Sequence, residues 1–354
     1  MNIKRNFKII IATAVIIFIA LGGWYINQSK IKSEILTKNS TRNITDMDGN
    51  TVAIPNNVTS VGTSWPGFCN IICSVGGGNS IVATSKTIQN YPWSIKIFPK
   101  LNNIVYPFAT SDTNMEELIK SKPDLVFLRK GDKIDKIKEA GIPVIMIDYT
   151  HNNINDMINA VTLAGQVIGG DGVKKAEQYS TYYHEAIDKI SLVTSKIAND
   201  KKPKVIYLSV SSGSWVWGKN MPQDEIIKIA GGINAASEID GYKEVSFEQL
   251  LKWDPDYIFI DGDPNQSKLM KDSSWKTLKA VKNNKVFVSP NGVFAWSRLG
   301  AETVLQLQWV AKTLYPDQLN DMDIKKETKY FYKTFFNYDL SDDQVNKILN
   351  AQNP

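Results

Sequence analysis

The chain has 354 residues, 43% of them hydrophobic and 22% charged, with a formal net charge of +5. That length is enough for two α/β lobes with cores of their own. The lysines are scattered, so no basic block with interleaved aromatics marks a nucleic-acid surface. The chain has only two histidines, His151 and His184, which argues against a His-rich metal site.

Lys4, Arg5 and Lys8 precede an uncharged, mostly apolar run from Ile9 to Ile26. The run is at the short end of the about 17–25 residues that span a bilayer. Its positive flank belongs in the cytoplasm, which puts the rest of the chain outside. No A-x-A-like cleavage site follows directly, and Trp24 stands where a lipoprotein carries cysteine. Residues 1–26 therefore read as an uncleaved anchor in preference to a cleaved signal, and 27–42 as a polar tether. Cleavage would make the protein periplasmic or secreted.

Residues 43–54 predict a hairpin around Asp48-Gly49. Strands and helices then alternate: strand 58–63, a Trp65-Pro66 turn, a helix ending at glycines 76–78, strand 81–85, helix 115–121, strand 125–128, helix 132–140 and strand 144–148. This is a βαβα pattern with apolar strands, the mark of a mainly parallel sheet covered on both faces. Cys69 and Cys73 lie one helical turn apart. They read as two small buried hydrophobes, because i,i+4 bridging is awkward in an undistorted helix.

Residues 153–198 break the alternation with two helical stretches joined by Gly169-Gly170-Asp171-Gly172. In the second, Val173, Ala176, Tyr183, Ile187, Ile190 and Ile197 recur at spacings of three and four. A long helix between two lobes is a strut. His184 lies on or beside its apolar stripe and reads as structural. Alternation resumes with strand 205–210, helix 223–230, a helix–strand pair at 247–260, helix 274–281 and strand 285–289. Helical stretches at 301–313 and 324–349 close the chain.

One segment occurs twice. Residues 114–127, NMEELIKSKPDLVF, align with 246–259, SFEQLLKWDPDYIF. Each copy predicts an N-cap (Asn114, Ser246), a capping-box partner three residues on (Glu117, Gln249), a proline stop and a buried strand. Glu116 and Glu248 fall on the first turn, outside the box, and face outward. The repeat indicates two similar lobes: 43–150 and 199–354, joined by a helical bridge at 151–198.

Open parallel sheets bind ligands beyond the carboxyl ends of their strands. The residues there are Trp65, Tyr91, Trp93, Tyr106, Arg129, Tyr149, His151, Trp215, Trp217, Asp261, Asp263, Trp296 and Arg298. Facing lobes turn this set into an aromatic-lined cleft with polar anchors. Arginines there would grip anionic oxygens. Tyr149 and His151 are the candidates for direct contact with a metal. Asp261 and Asp263 in IDGDPN also suit a turn. No G-x-S-x-G, P-loop or H-E-x-x-H is present, and Gly76-Gly77-Gly78 precedes a strand as a helix stop. The expectation is a binding protein, not an enzyme, with no cofactor.

The opening TDMDGNTVAIP, then NMEELIKSKPDLVF, GIPVIMID, AGGIN, VSFEQLLKWDPDYIF, LKAVKNNKVF and PNGVFAWSRLGAETVLQLQWVAKTLYPD follow one another over about residues 43–350. In this order they resemble the substrate-binding proteins of the iron-siderophore, haem and cobalamin type of ABC importer. The resemblance implies two Rossmann-like lobes with mainly parallel sheets, joined by a single long bridging α-helix. It implies a monomer outside the cytoplasm that delivers its ligand to a permease dimer with ATPase subunits. In such relatives one glutamate on each lobe pairs with permease arginines; the matching positions are Glu116 and Glu248. The missing lipobox cysteine departs from the pattern, leaving the N-terminal segment as the membrane attachment. GVFAWSR is similar to members handling iron or nickel chelates. The ligand expected is an iron(III) chelate of siderophore type. A nickel or cobalt chelate, haem or cobalamin is the alternative; a metal-cofactor enzyme on a related scaffold or a membrane-anchored sensor ranks below these.

Overall fold

The computed structural model describes residues 40–109, 112–129, 131–147, 154–209, 214–261 and 273–354. The apolar run at 9–26 lies outside them, and among the described residues no helix is long and apolar enough to cross a membrane.

The chain enters through an antiparallel hairpin, β1 (Thr41–Thr45) and β2 (Thr51–Pro55). The buried Asp46 carboxylate closes its turn by accepting from the backbone N–H groups of Asp48 and Asn50 at 3.1 and 2.8 Å. The first lobe is a five-stranded, wholly parallel sheet. Its strands are β3 (Val61–Thr63), β4 (Ile81–Ser85), β5 (Val105–Phe108), β6 (Leu125–Arg129) and β7 (Val144–Ile147), in the order β5-β4-β3-β6-β7. Its helices are α1 (Pro66–Ser74), α2 (Pro92–Ile97), α3 (Met115–Lys120) and α4 (Asp135–Glu139). Successors of β3 and β6 run to opposite sides of this pair, so their carboxyl ends form the crevice of the sheet.

Two helices link the lobes: α5 (Ile154–Ile168) and the 24-residue α6 (Asp171–Thr194), which pack on each other. At 1.5 Å per residue α6 spans about 36 Å. Gly169 and Gly170 both take positive φ, +74° and +53°, which turns the chain between them.

The second sheet is mixed. Its strands β8 (Lys204–Ser209), β12 (Tyr257–Ile260) and β13 (Val286–Val288) run parallel, with β10 (Ile233–Asn234) beside β8. β9 (Ser214–Trp217) turns back antiparallel on β8, and β11 (Tyr242–Val245) is antiparallel to β9, hence parallel to β8. This hairpin-like edge differs from the predicted loop: Trp215 and Trp217 lie inside β9, just as Tyr106 of the first sheet lies inside β5. The lobe's helices include α7 (Pro222–Ile229), α8 (Phe247–Trp253) and the four-residue α9 (Lys279–Lys282); α10 (Thr303–Leu314), α11 (Ile324–Phe336) and α12 (Asp342–Leu349) close the chain. The stretch predicted as one helix over 324–349 breaks at Asn337, which takes φ +52°.

The repeated segment folds the same way twice. Asn114 and Ser246 each accept the backbone N–H three residues on, at 3.2 Å. Both predicted boxes stay half-made, because the Asn114 N–H goes to the Pro107 carbonyl at 2.8 Å and Gln249 donates its amide to Glu238; among the described residues a complete box sits at Ser341 and Gln344. Lys122 and Asp254, equivalent positions, take positive φ of 50° and 41° before the prolines. Asp124 then accepts from the backbone N–H groups of Thr59 and Ser60 at 2.7 and 2.9 Å, beside β3. Asp256 accepts from that of Lys204 at 2.8 Å, beginning β8.

One apolar core runs through both lobes, from Phe68 and Trp93 through Tyr179 and Tyr183 of α6 to Phe259 and Phe331. Cys69 and Cys73 are free and buried within it.

Candidate functional site

The carboxyl edges of the two sheets face each other. Trp65, just past β3, meets Phe294, beyond β13, with ring centroids 5.0 Å apart at 85°. Tyr91 of the first lobe meets the same ring at 4.7 Å. Phe294 is therefore the wedge between the edges.

On the first lobe, Arg129 ends β6 with its side chain 50% exposed. Asp132 fixes it, accepting the Arg129 backbone N–H at 2.8 Å and lying 3.7 Å from its guanidinium. The same aspartate accepts the Ser64 hydroxyl at 2.5 Å, which ties the ends of β3 and β6 together. The guanidinium stands 6.0 Å from the Trp65 ring centroid, within range of a cation–π contact. The ring of Trp65 lies flat against Gly67, where a Cβ would come within 2.1 Å of it.

On the second lobe the buried Asp261 follows β12. One carboxylate oxygen accepts from the Ser297 hydroxyl at 2.5 Å; the other accepts from Arg298 Nε and Nη2 at 3.2 and 2.8 Å. Arg298 keeps 48% of its side chain exposed. Burial works against its charge, but Asp261 outweighs that and holds the guanidinium firmly protonated. Across the lobes, burial pushes the Tyr91 phenol up, and the nearby Arg298 guanidinium pulls it back. Beside them Tyr242, on β11, stacks on Trp215 at 5.1 Å and tilts against Trp217 at 4.6 Å. Burial raises the Tyr242 phenol, and Ser209 at the end of β8 works against that shift.

The structure thus brings together Trp65, Tyr91, Arg129, Trp215, Asp261 and Arg298 at the facing edges. It places four other predicted residues in the packing. Trp93 is buried and donates its ring N–H to the Gln352 carbonyl at 2.9 Å. Tyr106 donates to the Leu101 carbonyl at 3.0 Å. Trp296 is fully buried and donates to Glu302 at 3.0 Å. Trp217 is nearly buried behind Tyr242. Tyr149, His151 and Asp263 lie outside the described residues. Among the described residues no three His, Cys, Asp or Glu side chains gather as a metal site.

Asp132, Tyr242 and Phe294 escaped sequence reading. Phe294 stands two residues before Trp296 in GVFAWSR, and an alternating apolar stretch does not say which ring faces the gap. Tyr242 opens a strand behind Asp240-Gly241, a turn signal that could have flagged it.

Behind the site, Glu302 joins the lobes. It is buried and accepts from Phe294 N at 2.7 Å, Asn70 Nδ2 of α1 at 3.0 Å, the Trp296 ring and the Tyr332 hydroxyl. Burial pushes its carboxyl up to about 7, against hydrogen bonds from Tyr332, Phe294 and Trp296 that pull it down. Away from the cleft, Glu116 and Glu248 are exposed on α3 and α8. The Glu248 carboxyl is held below its ordinary range by its own backbone N–H and the Ser246 hydroxyl.

Comparison with known proteins agrees with this geometry. The chain is 26% identical over 323 residues to the molybdate-binding protein MolA of Haemophilus influenzae, covering 83% of this chain and 91% of that one. It is 26% identical over 187 residues to the Fe(3+)-citrate-binding protein YfmC of Bacillus subtilis, covering 50% and 56%. A periplasmic solute-binding protein of Veillonella parvula superposes with a TM-score of 0.77 at 28% identity, covering 88% and 97%. The family model for periplasmic binding proteins matches residues 74–292. Two α/β lobes, edges facing across one wedge and a helix between them are the architecture of that family, and the chain belongs to the periplasmic binding proteins.

Proposed function

We propose that this substrate-binding protein captures an anionic metal chelate of the iron(III)-siderophore class between its lobes and delivers it to an ABC permease dimer. One observation carries the reading: each facing edge offers a half-exposed guanidinium anchored by an aspartate, Arg129 by Asp132 and Arg298 by Asp261. Anchoring fixes the forks for carboxylate or other anionic oxygens. It also offsets much of their charge, which favours a ligand of spread charge over a small dense anion. Trp65, Tyr91 and the Trp215–Tyr242 stack supply apolar faces for the body of such a chelate. Glu116 and Glu248, one per lobe, are the handles for the permease, and the segment at 9–26 holds the protein at the membrane.

Intrinsic tryptophan fluorescence, titrated with ferric siderophores, ferric citrate, nickel–histidine, haem, cobalamin and sodium molybdate, tests the ligand class. Saturable quenching by a ferric chelate is expected, weakened at least tenfold in Arg298→Ala and in Arg129→Ala. The similarity to MolA favours a second reading, an oxyanion, and a response to molybdate alone would establish it instead. Silence across the panel would remove the chelate reading.

A further inference from the structure

The repeated helices carry a match that reaches beyond their glutamates. Along α3 the exposure runs from half-buried Met115 through exposed Glu116, half-buried Glu117 and buried Leu118 to exposed Ile119 and Lys120. Along α8 it runs in the same order over Phe247, Glu248, Gln249, Leu250, Leu251 and Lys252. Ile119 is 52% exposed and Leu251 40%, two of the seven large apolar side chains exposed among the described residues. Nothing in the folding of a lobe requires an aliphatic side chain in water at this point, yet both copies have one. Residues at i, i+3 and i+4 share a helical face. Each lobe therefore presents the same row: a carboxylate, an aliphatic knob and an ammonium.

The position of the row is fixed by topology. β5 and β11 run parallel to the strands that follow the repeated helices, so α3 and α8 both begin at the carboxyl edge of their sheet. That is the edge carrying Arg129 and Asp261. Both rows begin on the ligand side of their lobes.

We infer that each row is a two-part dock, Glu116 with Ile119 and Glu248 with Leu251, for two equivalent recesses that each pair a cation with an apolar socket. The occupant is a two-fold pair of permease subunits. Twin surfaces on one chain fit a two-fold partner, and carboxylates beside apolar knobs call for a basic, apolar recess. The knobs supply residence time, while the charges supply steering and register. This rests on the importer reading above.

The test measures binding of the full chain to nanodiscs holding the permease dimer with its ATPase subunits from the organism that produces it, between low and high NaCl. Ile119→Ser and Leu251→Ser are each expected to weaken binding about 5- to 10-fold, as burial of a half-exposed aliphatic side chain implies. The two are expected to act equally and to leave the salt slope unchanged. Glu116→Gln with Glu248→Gln is expected to weaken binding and flatten that slope. All variants keep wild-type ligand quenching, which shows that they fold. If the serine variants bind like wild type while the glutamine variants fail, the knobs have no part and the inference is overturned with the importer reading intact. If the glutamine variants also bind like wild type, or the wild-type chain does not bind, the importer reading falls. Self-association of the wild-type chain that Ile119→Ser abolishes would make a second copy the occupant and overturn the inference as well.

Discussion

Trp65 owes its orientation to the absence of a side chain at Gly67. With a Cβ only 2.1 Å from the ring, alanine there forces the indole off its present seat. The contacts with Phe294 and Arg129 are lost together. Gly67→Ala is expected to lower stability by about 1–3 kcal/mol, the usual cost of overpacking, and to weaken ligand binding several-fold. Urea unfolding and fluorescence titration check the two effects separately. Trp65 and Arg129 were legible as edge positions because strand ends can be read from apolar runs. It placed Trp93 and Trp296 in the cleft because a loop aromatic serves packing and recognition equally well. Only the hydrogen-bond partner decides: Gln352 claims one ring N–H and Glu302 the other.

At the level of elements, the Pro-Asp shared by the two copies of the repeat has a mechanical task. Asp124 and Asp256 each clamp a strand start beside their own, so a lobe's central strands are fastened at the amino edge, opposite the site. Asp124→Ala leaves two backbone N–H groups without that acceptor, and about 1–3 kcal/mol of stability should go with it. Chemical denaturation will show this as a lower midpoint with an unchanged slope, and a shallower slope would instead indicate a looser native lobe. The βαβ rhythm made the parallel strands readable, down to Ile81–Ser85 as predicted. The antiparallel β9 and β11 were not readable. Their residues, SWVW and YKEV, are separated by residues 218–241, which hold α7 and β10, so the Asp240-Gly241 turn signal does not announce which strand β11 pairs with.

For the molecule as a whole, Glu302 is the group whose protonation matters. Its folded carboxyl, at about 7, holds a proton to higher pH than its ordinary value of 4.5. Stability that is fully present below about pH 4.5 is therefore lost as the pH rises through about 7, by roughly 3 kcal/mol. Melting temperatures of wild type and Glu302→Gln across that range are expected to converge toward high pH, with wild type ahead at low pH; parallel curves would show that Glu302 does not titrate there. Because Asn70 and the Phe294 backbone both donate to it, the loss acts on the seam between lobes. The two-lobed plan and its bridge were readable from composition, repeat and helix periodicity. The seam was not, since it joins residues more than two hundred positions apart.

Arg129 and Asp261 occupy the same place in the two copies of the repeat, one past the other's counterpart by 132 positions, yet they carry opposite charge. Each edge still presents one aspartate-anchored guanidinium, so the two walls of the cleft match in charge and differ in their aromatic faces, Trp65 and Tyr91 on one and the Trp215–Tyr242 stack on the other. On the importer reading proposed above, a two-fold permease would meet the same carboxylate and aliphatic knob on either lobe, while the cargo would lie between unlike walls. Two docking poses would then present opposite ends of the ligand to a given subunit, and a pathway fed by both would have to accept its substrate in either orientation.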